Sequence, residues 1–297
     1  MFMKRILFYL TYPLLWALSR LPFFLLHIIS DVLFLLLFYV IKYRKEVVLE
    51  NLTLAFPEKN TMEIKKIRRD FYKHFMDLFM ETIKTFSISE KEIKKRYKYV
   101  NKEIFREIEG LDKSIILMGA HYANWEWIIN INHYTKLHCV GAYTKLSNPF
   151  YDKLIKRNRS RFGSEFVPTN KTIKKLLDYK AKNQNTLYGL LSDQSPQINK
   201  THYWAPFLNV KVPIHTGAEM LAKKHDFAVV FMSVKRIKRS YYEINFEILS
   251  KNPKETQNYE ITDRFLRKVE TQVYENPAYY FWTHKRFKHR NKAPMES

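Results

Sequence analysis

The sequence predicts an α/β fold, a mixed central sheet flanked by helices, with an N-terminal hydrophobic membrane-anchoring helix in front of it. Three observations lead there. Residues 6–41 carry only Arg20 and Asp31 as formal charges and are otherwise strongly apolar. Past residue 60, stretches with helical periodicity alternate with short continuous apolar runs. Those runs are too short for buried helices and end in small or polar residues, as strands buried on both faces do. The division that follows is 1–45 as the anchor and 46–297 as one α/β domain, a length that supports a sizeable core.

In chain order, Ile6 to Leu18 is one apolar run and Leu21 to Ile41 a second. The second has 21 residues, enough to span a bilayer at about 1.5 Å each. His27 and Asp31 interrupt it. An Asp at mid-bilayer costs about 2.5–3.5 kcal/mol, so the segment is expected to tilt, to lie partly in the interface, or to bury Asp31 against the domain. A cleaved signal peptide fits Lys4-Arg5 and the Ala17-Leu18-Ser19 end of the first run, but the more apolar segment behind it argues against simple secretion. A buried core helix is the third reading; so long and nearly uncharged a run at a terminus favours the anchor. Lys42, Arg44 and Lys45 behind it would hold the domain to the cytoplasmic face by the positive-inside tendency.

A link containing NLTLAFPE (Asn51 to Glu58) follows. Asn60 and Glu63 form a capping-box pair before a helix whose Ile64, Ile67, Phe71, Phe75, Leu78, Thr82 and Phe86 recur at spacings of three and four. Ser89 with Glu92 starts another. Strands are then expected at Ile115 to Met118, Leu137 to Tyr143, Thr186 to Leu191, Phe227 to Val234 and Tyr241 to Leu249. Helices are expected at Pro149 to Arg161, Thr172 to Lys182, Val212 to Lys224 and Ile261 to Tyr274. In the C-terminal FWTHKRFKHR, the apolar Phe281, Trp282 and Phe287 should pack and leave His284, Lys285 and Arg286 to face an anion.

The stretch that carries chemistry is SIILMGAHYANWEWIININ, from Ser114 to Asn132. It reads as a buried strand, a tight Gly119-Ala120 turn, and a helix opening at an Asn124 N-cap. His121 then sits at the carboxyl end of a strand and Glu126 in the first turn of the next helix. On one continuous helix, side chains five apart would point about 140° away from each other; across a strand-turn-helix junction they can meet. A His oriented by a carboxylate is a general base for a hydroxyl, and a helix N-terminus favours an oxyanion. With 10 His and 29 acidic residues, chance alone supplies about one such spacing, so its placement carries the argument. Asp193, in Ser192-Asp193-Gln194 after the Thr186 to Leu191 strand, falls at the same edge, where open α/β sheets bind ligands.

The net charge of +22 is spread over clusters along the whole fold and not concentrated at one end as in a nucleic-acid arm, so the chain should be drawn to something anionic: lipid headgroups, nucleic acid or an acidic protein. No zinc, helix-turn-helix or RNA-binding aromatic signature is visible. One cysteine, Cys139, excludes an internal disulfide and a Cys-based zinc site.

HYANWE resembles the His-x4-Glu block of the bacterial lipid A late acyltransferases, within the wider glycerolipid acyltransferase superfamily. The resemblance runs in order through the apolar N-terminus, NLTLAFPE, AHYANWEW, GAYTKLSNPFYDKL, the strand ending in DQSP, APFLNVKVPIHTGAEMLAKK and WTHKRFK. It implies transfer of an acyl chain from an acyl carrier protein thioester to a hydroxyl of a Kdo-bearing lipid A precursor, with no metal and no cofactor beyond the acyl carrier protein or coenzyme A thioester. His121 would be the general base and Glu126 its orienting carboxylate. Asn124, Lys145, Arg161, Asp193, Gln194, His284 and Arg286 would form the substrate-binding set. Lys145 and Leu146 stand where the family carries Arg and Pro, which keeps a charge and loses a bidentate fork. The partners the resemblance implies are an acidic acyl carrier protein, an anionic lipid acceptor and the cell inner membrane, on its cytoplasmic face, with no nucleic acid. The same chemistry on a lysophospholipid or an aminoacyl lipid, and a non-catalytic basic membrane- or nucleic-acid-binding protein, are the alternatives.

Overall fold

Seven strands make the central sheet of the computed structural model, which describes residues 2–293. They are β1 (Tyr97–Tyr99), β2 (Ile115–Gly119), β3 (His138–Tyr143), β4 (Glu165–Pro168), β5 (Thr186–Leu191), β8 (Ala228–Lys238) and β9 (Tyr241–Ser250). Their spatial order is β1-β9-β8-β2-β5-β3-β4. Every pairing is parallel except the β8–β9 hairpin, so the sheet is mixed, as expected. A two-stranded ribbon of β6 (Trp204–Phe207) and β7 (Val210–Pro213) stands apart from it. All five residues of β2 are buried, which explains its unbroken apolar run.

Helices cover the sheet: α3 (Lys45–Ala55), α4 (Thr61–Lys84), α5 (Glu90–Arg96), α6 (Ile104–Glu109), α7 (Pro149–Arg159), α8 (Thr172–Ala181), α9 (Gly217–His225) and α10 (Glu260–Glu275). The Asn60–Glu63 capping box forms in both directions and fixes the start of α4, a device worth about 1 kcal/mol. The buried residues of α4 include Ile64, Phe71 and Leu78, members of the stripe read from the sequence. Ser89 caps α5 by accepting from the Glu92 N–H.

Two expectations need correction. Asn51 to Ala55 of the supposed link belong to α3, whose Leu52 and Ala55 are fully buried. The Val212 to Lys224 helix is instead β7 followed by α9, because Pro213 and the Gly217 start interrupt the helical register. Ahead of the sheet lie α1 (Phe2–Arg20) and α2 (Phe23–Leu35), the latter continued by a π-helical turn, Leu36–Ile41. Phe23–Ile41 is long and apolar enough to cross a membrane, and 22% of it is buried inside the fold.

Candidate active site

β2 and β5 are parallel neighbours, and their carboxyl ends deliver His121 and Asp193 side by side. The Ser192 N–H bonds to the Gly119 carbonyl at 3.1 Å and locks the two exits together. Oδ1 of Asp193 then accepts twice from His121, from the backbone N–H at 3.1 Å and from Nδ1 at 2.7 Å. Asp193 is buried, while the His121 side chain keeps 19% of its surface exposed. Burial alone would push the Asp193 carboxyl up, but the charge of His121 and its hydrogen bonds outweigh this and hold the group below the ordinary carboxylate range. With Nδ1 engaged, Nε2 is the nitrogen that remains for a substrate hydroxyl.

The loop bearing His121 is held from the C-terminal side. The Phe281 N–H donates to the His121 carbonyl at 3.1 Å, and the Ala123 N–H donates to the Tyr279 carbonyl at 2.9 Å. Ala123 adopts φ 49°, a left-handed conformation uncommon for a residue with a Cβ. The His121 ring stands 5.1 Å from the Trp125 ring and 6.0 Å from that of Phe281. Sequence reasoning foresaw that this terminal segment packs, and Trp282 and Phe287 are indeed buried.

Glu126 is turned elsewhere. After the Asn124 cap the chain forms a 3-10 helix, Trp125–His133, rather than the expected α-helix, and this aims Glu126 at α7. There it meets Arg159 in a two-point ion pair, Nε to Oε2 at 2.9 Å and Nη2 to Oε1 at 2.5 Å. The carboxylate hydrogen-bonded to His121 is therefore Asp193. Arg159 lies in the basic Lys156 to Arg161 stretch visible in the sequence, but nothing in the spacing singles it out.

Trp125, Glu126 and Arg159 line a narrow groove that runs over the sheet, with a cavity volume of ≈ 120 Å³. Its floor is otherwise apolar, with Leu117, Cys139, Leu187 and Met232 among the lining residues. Gly119, Gly141 and Gly189, on β2, β3 and β5, also line it. Gly141 and Gly189 are register partners, and Gly189 also pairs with Leu117, so these positions share one face of the sheet. An apolar groove with a few polar groups among its lining residues has the chemical character to take a fatty chain.

The other predicted substrate contacts divide. Asn124 is wholly buried: it accepts from the Trp127 N–H at 3.1 Å and donates to Glu81 Oε2 at 2.6 Å, so it holds the loop and does not face the groove. Arg161 donates to the carbonyls of Thr85 and Ile88, capping the chain beyond α4. Arg286 is buried and donates to the Pro213 carbonyl at 3.3 Å, with its guanidinium 4.9 Å from the Phe207 ring, so it does not present itself to a surface anion. His284 accepts from the Ser195 N–H at 3.2 Å, and burial followed by the Arg286 charge brings its pKa down to about 4. It is thus a neutral structural acceptor. Lys145 is exposed on the loop before α7, and Gln194 is partly exposed beside Asp193.

Comparison with known proteins comes to the same place from outside. The family model for bacterial lipid A biosynthesis acyltransferases matches residues 2–289. The chain is also 25% identical over 281 residues to the lipid A biosynthesis lauroyltransferase of Escherichia coli (strain K12), a match covering 93% of this chain and 89% of that protein.

Proposed function

The chain belongs to the bacterial lipid A biosynthesis acyltransferase family, and from that premise we propose that it moves a fatty acyl chain from an acyl carrier protein thioester to a hydroxyl of a lipid A precursor. The observation that carries this reading is the His121–Asp193 pair beside an apolar groove whose lining includes the Glu126–Arg159 ion pair. His121 Nε2 takes the hydroxyl proton as the oxygen attacks the thioester carbonyl. Asp193 stabilises the imidazolium that forms. To the developing oxyanion we assign Arg159, which its two-point pair with Glu126 orients. Collapse of the tetrahedral intermediate breaks the carbon–sulfur bond, and the imidazolium returns its proton to the leaving thiolate. The acyl chain lies along the sheet over Gly189.

The net charge of +22 supports an acidic carrier and an anionic acceptor. Lys145 and Lys285, both exposed, are the cations we assign to those partners. The apolar N-terminus followed by Lys42, Arg44 and Lys45 supports a place at the cytoplasmic face of the inner membrane. The test is purified protein incubated with an acyl carrier protein thioester and a lipid A precursor, with the product read by mass spectrometry. One added acyl chain is expected, and His121→Ala should abolish it while leaving thermal unfolding unchanged. Full activity in that variant would remove the mechanism.

A further inference from the structure

We infer that α1 and α2 lie flat in the headgroup region of one anionic leaflet, so that Phe23–Ile41 does not cross the bilayer. The inference rests on the membrane association proposed above and adds the orientation. Length and composition would permit a crossing; three observations oppose it.

Both ends of this stretch are tied to the same domain. At its start, the Arg96 guanidinium sits 3.5 Å from the Phe23 ring, and Lys84 donates to the carbonyls of Ser19 and Leu21 at 2.9 and 2.7 Å. Beyond its end, Arg44 donates to the Thr283 carbonyl at 3.0 Å, and the Tyr72 hydroxyl donates to the Tyr43 carbonyl. The preceding helix is tied as well: Lys4 donates to the Ser147 carbonyl at 2.7 Å, and Asn148 returns a bond to the Lys4 carbonyl at 3.1 Å. No described part of α1 is free to reach a far leaflet.

The middle of the stretch is bound to charge. Ser30 donates to the buried Asp77 at 2.7 Å, and Asp31 pairs with Arg239 at 2.7 Å, which also bonds Asp77. His27 Nε2 lies 2.8 Å from the Ser240 hydroxyl. Arg236 completes the cluster through Asp77 at 3.0 Å. α4 runs antiparallel alongside, with Lys73 5.7 Å from the Phe34 ring and Arg68 6.0 Å from that of Phe38. A helix crossing the bilayer would carry this assembly to the hydrocarbon centre, where ionised side chains are least tolerated.

The remaining face has the character of an interfacial surface. Phe24, Ile28, Val32 and Leu35 follow each other at helical spacing and are 51–63% exposed, and Leu10 and Leu14 of α1, four residues apart, are exposed as well. Exposed Trp16 and Tyr39 are aromatic types favoured at the headgroup level. Arg5, Arg20 and Lys42 supply exposed positive charge for anionic lipid.

The test uses the full chain with a spin label placed singly at Phe24→Cys, Ile28→Cys, Val32→Cys and Leu35→Cys; Cys139 is buried, and the labelled wild type is the blank. Each is bound to phosphatidylethanolamine–phosphatidylglycerol vesicles, and immersion depth is read from collisions with oxygen and with a water-soluble nickel chelate. Four similar depths, roughly 5–10 Å below the headgroup boundary, are expected. Leu35 lies eleven residues beyond Phe24, about 16 Å along a helix axis, so a depth gradient of that size would overturn the orientation alone. Four labels as exposed as in solution would overturn the membrane association with it. Replacing phosphatidylglycerol by a neutral lipid should weaken binding at least tenfold; equal binding would overturn the anionic leaflet.

Discussion

Replacing Asp193 by Asn keeps the shape of the side chain and an oxygen for the His121 backbone N–H, removes the negative charge, and turns the second, unpartnered oxygen into an amide NH2. The retained oxygen lies 2.7 Å from Nδ1. As the imidazole accepts the hydroxyl proton, it gains a positive charge centred roughly 4 Å from the carboxylate, where the attraction is about 4 kcal/mol at an effective dielectric of about 20. Asp193 is 1% exposed, so solvent screens little of this. Because the attraction develops only as the proton moves, its loss should lower kcat roughly a thousandfold. Glu126→Gln leaves the pair intact and acts through Arg159. The assay is steady-state transfer from an acyl thioester, followed by thiol release and by mass spectrometry of the acylated lipid, with thermal unfolding as the control for folding. An Asp193→Asn enzyme within tenfold of wild type, alongside a dead Glu126→Gln enzyme, would refute the reasoning and return the orienting role to Glu126.

Two further outcomes follow from the same contacts. Arg159→Lys retains the charge but loses the fork that grips Glu126, and kcat/KM should fall at least roughly tenfold, about one charge-assisted hydrogen bond. Burial, followed by the nearby Asp77 charge, pushes the Glu81 carboxyl up to about 7 from an ordinary 4.5, so between those values the folded state holds a proton that the unfolded chain has released. Stability should therefore fall as pH rises through that window, by about 3 kcal/mol in total, and level off above it. Denaturant midpoints of wild type minus Glu81→Gln isolate this slope, because the buried His74, with its pKa lowered to about 3, contributes the opposite slope equally to both; a flat difference would show that Glu81 is ionised throughout.

Elements with a local cause were legible in the sequence. β5 was expected over Thr186 to Leu191 and occupies those residues, since an apolar run between polar ends needs no distant partner to be recognised. The α4 start was legible because a capping box is built within four residues. β1 and β4 were not: each has four residues or fewer and exists because a distant strand offers an edge, β9 for the first and β3 for the second. The site divides in the same way. His121 was found from its place at a strand end. Its carboxylate was sought five residues away, whereas the fold brings one from 72 residues downstream on the neighbouring strand. The sequence places Asp193 at that same edge, but only the β2–β5 register turns a shared edge into a hydrogen bond.

The glycines carry the last step. The chain has six, and three of them lie on adjacent strands at the groove floor. A glycine inside a strand costs about 0.5–1 kcal/mol relative to alanine, so each position needs a reason. At Gly141 the reason is steric: an added Cβ would fall 2.6 Å from Phe166 Cε1. At Gly119 it is close to steric, with Met232 Cε at 3.0 Å and Leu191 Cδ2 at 3.1 Å. Gly189 has no such cause, since the nearest atom to a Cβ there is the Val140 carbonyl oxygen at 3.9 Å. The fold would accept a side chain at 189, and what its absence preserves is open groove. Gly189→Ala should therefore raise stability by about 0.5–1 kcal/mol while slowing transfer of the longest acyl chains. Gly189→Leu, which places about four carbons in the groove, should shift the preferred donor to a chain shorter by about the same number. Competition between thioesters of different length, scored by product mass, reads the shift. An unchanged chain-length profile in the leucine variant would mean that the acyl chain lies elsewhere.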